Sequence, residues 1–166
     1  MKRHSIALLG MTMALTLCAG ETIAATATSN VSASIVPAIT ITKNTDMDFA
    51  DVVATASAGT VVLTTAGARS VTGGATLGNG TGTAAAAFTV AGDPASTYSI
   101  TLPGSATITS APNTMTVNTF TSNPSGTGTL GAGGTQGLTV GATLVVGASQ
   151  AQGTYTGTFD VTVAYN

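Results

Sequence analysis

The stretch GTYTGTFDVTVAYN, residues 153–166, decides the fold of this chain because its side chains alternate with a period of two. Large apolar side chains share one parity, at Tyr155, Phe159, Val161, Val163 and Tyr165, and threonines dominate the other. Such alternation, in a run rich in β-branched and aromatic residues, predicts a β-strand with one buried and one wet face. We expect this strand to lie at an edge or seam of a sheet, where another chain can join it.

Strand-like runs recur along the chain at the spacing typical of a sandwich, separated by clusters of Gly, Ser, Asn and Pro. They predict ten strands, at residues 30–36, 38–43, 47–54, 59–65, 84–91, 97–102, 105–109, 114–121, 137–146 and 154–165. The Gly-rich stretches 73–82 and 125–134 are predicted to be loops. Because no run beyond the N-terminal segment has helical periodicity, the predicted fold class is all-β, an antiparallel β-sandwich.

The last two predicted strands are expected to pair with each other. Residues 139–146 and 154–165 flank a polar connection at 147–153, which predicts a terminal hairpin. The inward row of its first strand is predicted to be Leu138, Val140, Ala142, Leu144 and Val146.

The N-terminus has the features of a secretory signal peptide. A short basic start at residues 1–4 precedes an apolar run at 5–19 that is too short to cross a membrane, and small residues follow. We expect cleavage after Ala25, so that residues 1–25 are the signal peptide and the only Cys, His and Glu are removed with it. The protein is therefore expected to be exported, with no membrane span in its mature chain.

The mature chain offers little for catalysis or metal binding. Without His or Cys it lacks a Ser–His or Cys–His pair and the nitrogen and sulfur ligands of zinc and iron sites. Asp46 and Asp48 alternate with apolar residues, and together with Asp51 they lack the EF-hand pattern, so we interpret them as charges on a wet strand face. Two bases, Lys43 and Arg69, cannot neutralise a nucleic-acid backbone. We expect no catalytic residue, metal, cofactor or nucleic acid.

Residues 26–36 form a second alternating segment, ahead of a predicted sandwich domain at 37–166. Val31, Ala33 and Ile35 share one parity, with serines between them. Pro37 ends the segment, because a proline is tolerated only at an edge or at a break between strands. Two interpretations follow: the segment is the first strand of its own domain, or it is an extended arm donated as a strand to a neighbouring molecule.

The chain is similar to the DUF4402 domain family of bacterial secreted proteins. The resemblance rests on the first strand, Pro-Ala-Ile-Thr-Ile-Thr at 37–42, and on the ending Gly-Thr-Tyr-x-Gly-x-Phe-x-Val-Thr-Val-x-Tyr at 153–165. It extends over nearly all of the mature chain.

More distantly, the chain resembles the pilin subunits of chaperone–usher fimbriae, in particular the archaic, spore-coat-U-like branch. The arm, the Met47-Asp-Phe49 run, Gly153 and the penultimate Tyr165 carry this resemblance. The sequence departs from the pilin pattern at Ala38 and Ile39, where such subunits usually have a cysteine.

The pilin resemblance implies an immunoglobulin-like sandwich that lacks its last strand and leaves an apolar groove open. A periplasmic chaperone fills the groove first, and the arm of the next subunit then replaces the chaperone strand. In this chain the plugs would be Val31, Ala33 and Ile35. The groove and C-terminal strand would be formed by Gly153, Tyr155, Phe159, Val161, Val163 and Tyr165.

The implied function is that of an exported, pilin-like structural subunit. Its partners would be copies of itself and a periplasmic chaperone and usher, and its place would run from the periplasm to the surface of a Gram-negative bacterium, with a role in adhesion. The alternative is a self-complete secreted sandwich, acting as a monomeric surface or polysaccharide-binding module. The two interpretations differ in whether the arm is needed to complete the sandwich of its own domain or is an additional strand.

Overall fold

The computed structural model describes residues 24–166, in which the chain divides into a terminal unit ending at Ser34 and a domain, Ile35–Asn166. The predicted signal peptide lies outside the described residues, apart from Ala24 and Ala25. Residues 24–34 are exposed and belong to no helix or strand. The strand predicted at 30–36 is therefore not formed here, since an extended segment without a partner has no ladder of hydrogen bonds.

All regular secondary structure in residues 24–166 is β, which confirms the predicted all-β class. The ten strands are β1 Thr40–Thr45, β2 Val52–Leu63, β3 Arg69–Leu77, β4 Ala86–Ala91, β5 Thr97–Thr101, β6 Ser105–Ser110, β7 Asn113–Asn123, β8 Thr127–Thr129, β9 Thr135–Val146 and β10 Thr162–Tyr165. Over the same residues, no helix is long and apolar enough to cross a membrane.

Antiparallel pairing organises these strands into a seven-stranded and a three-stranded sheet. The larger sheet runs β1-β4-β9-β2-β3, with β7 also paired to β9 and β6 to β7, and the smaller sheet runs β10-β5-β8. β9 is central: Val140 pairs with both β4 and β7, and Leu144 pairs with both β2 and β7. Both edges of β9 are therefore occupied.

The core consists of two clusters, and only the first lies between the two sheets of the β-sandwich. The predicted inward row of β9, Leu138, Val140, Ala142, Leu144 and Val146, is buried throughout. Around the first half of β9, a cluster packs the larger sheet against the smaller one through Val90, Tyr98, Leu130 and neighbouring side chains. Around the second half, a separate cluster consists of side chains of β2, β3, β7 and β9, with Val61 and Val117 among its buried members.

The predicted terminal hairpin is wrong, because β9 has no free edge to offer. The last strand is shorter than predicted, Thr162–Tyr165, and pairs with β5, so that Val163 lies opposite Ile100. Its side-chain alternation is nevertheless as predicted. The five apolar side chains of residues 155–165 are half-buried and the residues that flank them are exposed.

The predicted loop at 73–82 is also wrong in its first half, since β3 continues through Gly73 and Gly74 to Leu77. The glycines belong to an irregularity in the β2–β3 pairing, where a Cβ at Gly74 would collide with the carbonyl group of Ser57. Close backbone approach within a strand, rather than a turn, requires glycine here. The strand predicted at 47–54 is formed only from Val52 onward, where it continues into the run predicted at 59–65 as the single strand β2. The predicted loop at 125–134 contains the short strand β8.

Candidate functional site

An open groove of about 1240 Å³ lies over the second half of β9. Its floor is the inner face of the larger sheet, where the side chains of Val117, Leu144 and Val146 lie deepest. Its two walls are residues 45–51 and 150–159, which lie outside the regular strands except for Thr45 at the end of β1. No residue of the three-stranded sheet lines the groove, so within residues 24–166 the second layer of the sandwich covers only part of the first.

All four phenylalanines of the chain line this groove, and none is fully buried: Phe49, Phe88, Phe120 and Phe159. Phe120 on the floor meets Phe159 on the wall, with ring centroids 5.0 Å apart and ring planes tilted by 37°. Met47 and Met115 are half-buried beside them. Large apolar side chains normally occupy the best-buried positions of a core, so their partial exposure marks a face that lacks a cover.

The wall at 150–159 is attached to the edge strand β6 by one isolated bridge. Thr109 and Thr156 exchange two backbone hydrogen bonds, of 2.8 and 3.0 Å. At the start of this wall, the Gln150 amide donates to the Thr114 carbonyl and to the Tyr155 hydroxyl, which in turn donates to the Ala151 carbonyl. The wall is thus held at a few points, and most of its extended backbone has no ladder partner.

The opposite wall, residues 45–51, is held in a similar way. Asp48 and Ala84 exchange two backbone hydrogen bonds, of 2.8 and 3.0 Å, and the Asp48 carboxylate accepts from the Ala50 amide at 2.7 Å. The Arg69 guanidinium donates to the carbonyl oxygens of Phe49 and Asp51, at 2.6 and 3.1 Å. These contacts fix the curve of the wall and leave Met47 and Phe49 turned toward the groove.

Asp46 and Asp48 of this wall make separate contacts and do not act together. Asp46 forms an exposed ion pair with Lys43, at 2.6 Å, and Asp48 serves as the local backbone acceptor described above. In the described part of the chain, no group of three or more His, Cys, Asp and Glu side chains is placed to hold a metal ion.

A second site lies where the arm leaves the domain. The Tyr165 hydroxyl donates to the Pro37 carbonyl at 2.9 Å and accepts from the Asp93 amide at 2.6 Å. The Asp93 carboxylate accepts from the Ser96 hydroxyl at 2.6 Å. Beside these contacts is a shallow pocket of about 330 Å³, to which Val36 contributes an apolar side chain that is 51% exposed.

The structure separates the site residues predicted from the sequence into three groups. The predicted plugs Val31, Ala33 and Ile35 are exposed and unpaired in strands. Gly153, Tyr155 and Phe159 line the groove. Val161, Val163 and Tyr165 do not; they pack against the cluster that the three-stranded sheet covers.

The pilin resemblance placed Tyr155 and Phe159 at a groove, and the other aromatic residues and the methionines that line it were not assigned to one. Their shared position around one uncovered groove depends on which strands occupy the second layer, and no local pattern reports that. The one usable signal was the alternation of Met47 and Phe49 with Asp46 and Asp48, which places two large apolar side chains on one side of a wall.

Comparison with known families gives one finding. The family described as "Domain of unknown function (DUF4402)" matches residues 39–165, which include all ten strands. Neither curated proteins nor solved structures give a match.

Proposed function

The chain belongs to the DUF4402 domain family, and from this premise we propose that it is an exported structural subunit that assembles with copies of itself by β-strand donation. The observation that carries the proposal is the open groove, over which the second layer of the sandwich has no strand in the part of the chain that the structure describes. A strand supplied by another molecule would complete that layer.

The chemistry of the groove fits an apolar strand. Its floor and walls present the four half-buried phenylalanines and two half-buried methionines, whose remaining exposed surface would be removed from water by an inserted strand. Each Å² of apolar surface buried in this way contributes about 25 cal/mol. The walls add backbone N–H and C=O groups outside the ladders, which supply the main-chain hydrogen bonds of β-strand addition.

The arm has the properties required of such a strand. Val31 is 95% exposed and Ile35 is 98% exposed, and serines separate the apolar residues. An alternating segment places one row of side chains in the groove and leaves the other in solvent, which fixes its register. Large apolar side chains in an exposed segment indicate a binding role, because exposure of contiguous apolar surface is otherwise disfavoured.

Export and partners form the remaining part of the proposal. A signal peptide at residues 1–25 would deliver the chain to the periplasm, where a chaperone strand would protect the apolar groove until an usher replaces it with the arm of the next subunit. The assembled product would lie at the cell surface, where a structural or adhesive role follows. Charged residues make up 6% of the sequence, which suits a surface that makes contacts through hydroxyl groups rather than through ion pairs.

The test is to delete residues 26–36 and to supply the arm as a peptide. The deleted protein should remain folded and fail to assemble. A peptide of residues 30–36 should raise its melting temperature, because a ligand that binds only the native state stabilises it by mass action. The matched control is the same peptide with Val31→Ser and Ile35→Ser, which should have no effect.

Two outcomes would contradict the proposal. If the deletion unfolds the domain, the arm is a strand of its own sandwich. If the deleted protein is folded and the peptide causes no shift at concentrations well above micromolar, the groove is not an acceptor, and the self-complete secreted sandwich is the better description.

A further inference from the structure

We infer that the surface around the base of the arm is a second contact between successive copies of this chain, in addition to the donated strand. This root surface consists of six residues: Val36, Asp93, Ser96, Thr97, Tyr165 and Asn166. Its occupant is the rim of the neighbouring molecule's groove. The inference rests on the proposed function and adds to it a surface that strand donation alone does not require.

The short distance along the chain from the plug to the domain carries the inference. Ile35 is the last predicted plug, and Pro37, two residues later, is fixed to the domain by the Tyr165 hydroxyl. Two residues of fully extended chain span at most about 7 Å. When Ile35 lies in the groove of a neighbour, the end of that groove must therefore lie against the root surface.

The root surface is suited to such a contact because several of its polar groups are already paired within the molecule. The Tyr165 hydroxyl has both a donor and an acceptor, the Asp93 carboxylate accepts from Ser96, and the Asn166 amide donates to the Thr97 carbonyl at 3.2 Å. Covering groups that keep their hydrogen bonds avoids the cost of leaving a buried polar atom without a partner. Val36 and the ring of Tyr165 supply apolar area in the shallow pocket between them.

Two substitutions on the same strand separate this contact from strand donation. Thr97 and Thr101 are the first and last residues of β5 and are both exposed, but only Thr97 lines the root surface. Thr97→Trp should obstruct the neighbour, and Thr101→Trp is the matched control. In the full chain, we expect Thr97→Trp to weaken assembly at least about tenfold, as loss of a central contact does in other interfaces, and Thr101→Trp to leave it unchanged.

The readouts are sedimentation velocity of each full-length variant and binding of the arm peptide, residues 30–36, to the arm-deleted form of each variant. Peptide binding should equal that of the unsubstituted protein in both cases, because the groove is intact. Thr97→Arg and Thr101→Arg repeat the comparison if a tryptophan variant does not fold. If the Thr97 variants assemble as well as the Thr101 variants, the root contact is overturned and strand donation still stands. A peptide that binds none of the arm-deleted proteins would instead count against strand donation itself.

Discussion

The hydroxyl group of Tyr165 donates a hydrogen bond of 2.9 Å to the carbonyl oxygen of Pro37, 128 residues earlier in the chain. The same hydroxyl accepts from the Asp93 amide at 2.6 Å. One phenol therefore joins β10, the β4–β5 connection and the point at which the arm meets the domain. This contact fixes the chain to the domain at the residue that follows the arm.

Tyr165→Phe should remove both hydrogen bonds and keep the packing of the ring. We expect a loss of about 1–3 kcal/mol in the free energy of unfolding, measured by urea denaturation, because the Asp93 amide loses its partner. Hydrogen exchange at Asp93 should become faster.

Tyr155→Phe is the matched control, since its hydroxyl also makes two hydrogen bonds, to Gln150 and Ala151 at the far end of the C-terminal segment. That substitution should leave exchange at Asp93 unchanged. Equal exchange at Asp93 in the two variants would show that Tyr165 does not hold the root of the arm.

Gly157→Ala should detach the wall at 150–159 from β6. A Cβ at Gly157 would lie 2.5 Å from the carbonyl oxygen of Thr107 and 3.1 Å from the Cα of Ile108, so the wall must move and the Thr109–Thr156 bridge must open. We expect a loss of about 1–3 kcal/mol in the free energy of unfolding, as for other overpacked sites. Binding of the arm peptide to the arm-deleted protein should weaken in parallel.

Gly104→Ala is the control for this substitution, because a Cβ there would meet nothing within 4 Å. It should be neutral or stabilising by a few tenths of a kcal/mol, through the unfolded chain. If both alanine variants melt alike, the close approach of the wall to β6 is not important for stability.

Side-chain alternation was predictable from the sequence, and strand partners were not. The inward rows of β9 and of residues 155–165 follow from a period of two, which depends only on local backbone geometry. The choice of β5 as partner for β10 depends on β9 being enclosed by β2, β4 and β7, which are distant in sequence.

The pilin resemblance implied a groove, but the residue pattern did not show which side chains surround it. Met115 and Phe120 stand on opposite parities, and only an irregularity in the β7–β9 pairing between Asn118 and Thr121 brings both to the groove. Nothing near them in sequence reports that, within residues 24–166, the second layer has no strand above them. Likewise Gly73 and Gly74 are read as a loop from composition alone, although a close approach between β2 and β3 explains them in a strand.

Tyr98 gives the protein a defined response to alkaline pH. Its side chain is fully buried, its hydroxyl donates to the Gln136 side-chain oxygen at 2.8 Å, and burial raises the pKa of the phenol above its ordinary value of 10.0. Because the folded pKa exceeds the unfolded one, the contribution of Tyr98 to stability is fully present below pH 10.0 and is lost as pH rises through the folded pKa. Between pH 10.0 and the folded pKa of Tyr98, the contribution of this group to the free energy of unfolding should fall by about 1.4 kcal/mol per pH unit.

The measurement is urea denaturation between neutral pH and alkaline pH, with Tyr98→Phe as the comparison. The variant should be less stable at neutral pH, since Gln136 loses its donor, and should show a shallower decline in alkali. Parallel declines in the two proteins would mean that other groups set the alkaline limit.

Aspartate substitutions on the arm and on β10 distinguish a donated strand from an internal one. Val163 is half-buried, lies opposite Ile100 of β5 and packs into the covered core cluster. Val163→Asp should therefore cost about 2 kcal/mol or more, because the carboxylate has no partner there. Val31→Asp makes the same chemical change at a side chain that is 95% exposed, and the free energy of unfolding should change by less than about 0.5 kcal/mol.

Ile35→Asp, at a side chain that is 98% exposed, should behave as Val31→Asp does. Both arm variants should melt like the unsubstituted protein and remain monomeric in sedimentation velocity, because a charged plug cannot enter an apolar groove in a neighbour. The arm-deleted protein should still bind the unsubstituted arm peptide, which shows that the acceptor is intact. If Ile35→Asp misfolds as severely as Val163→Asp, the arm is part of its own sandwich, and the groove must be completed from within the same molecule.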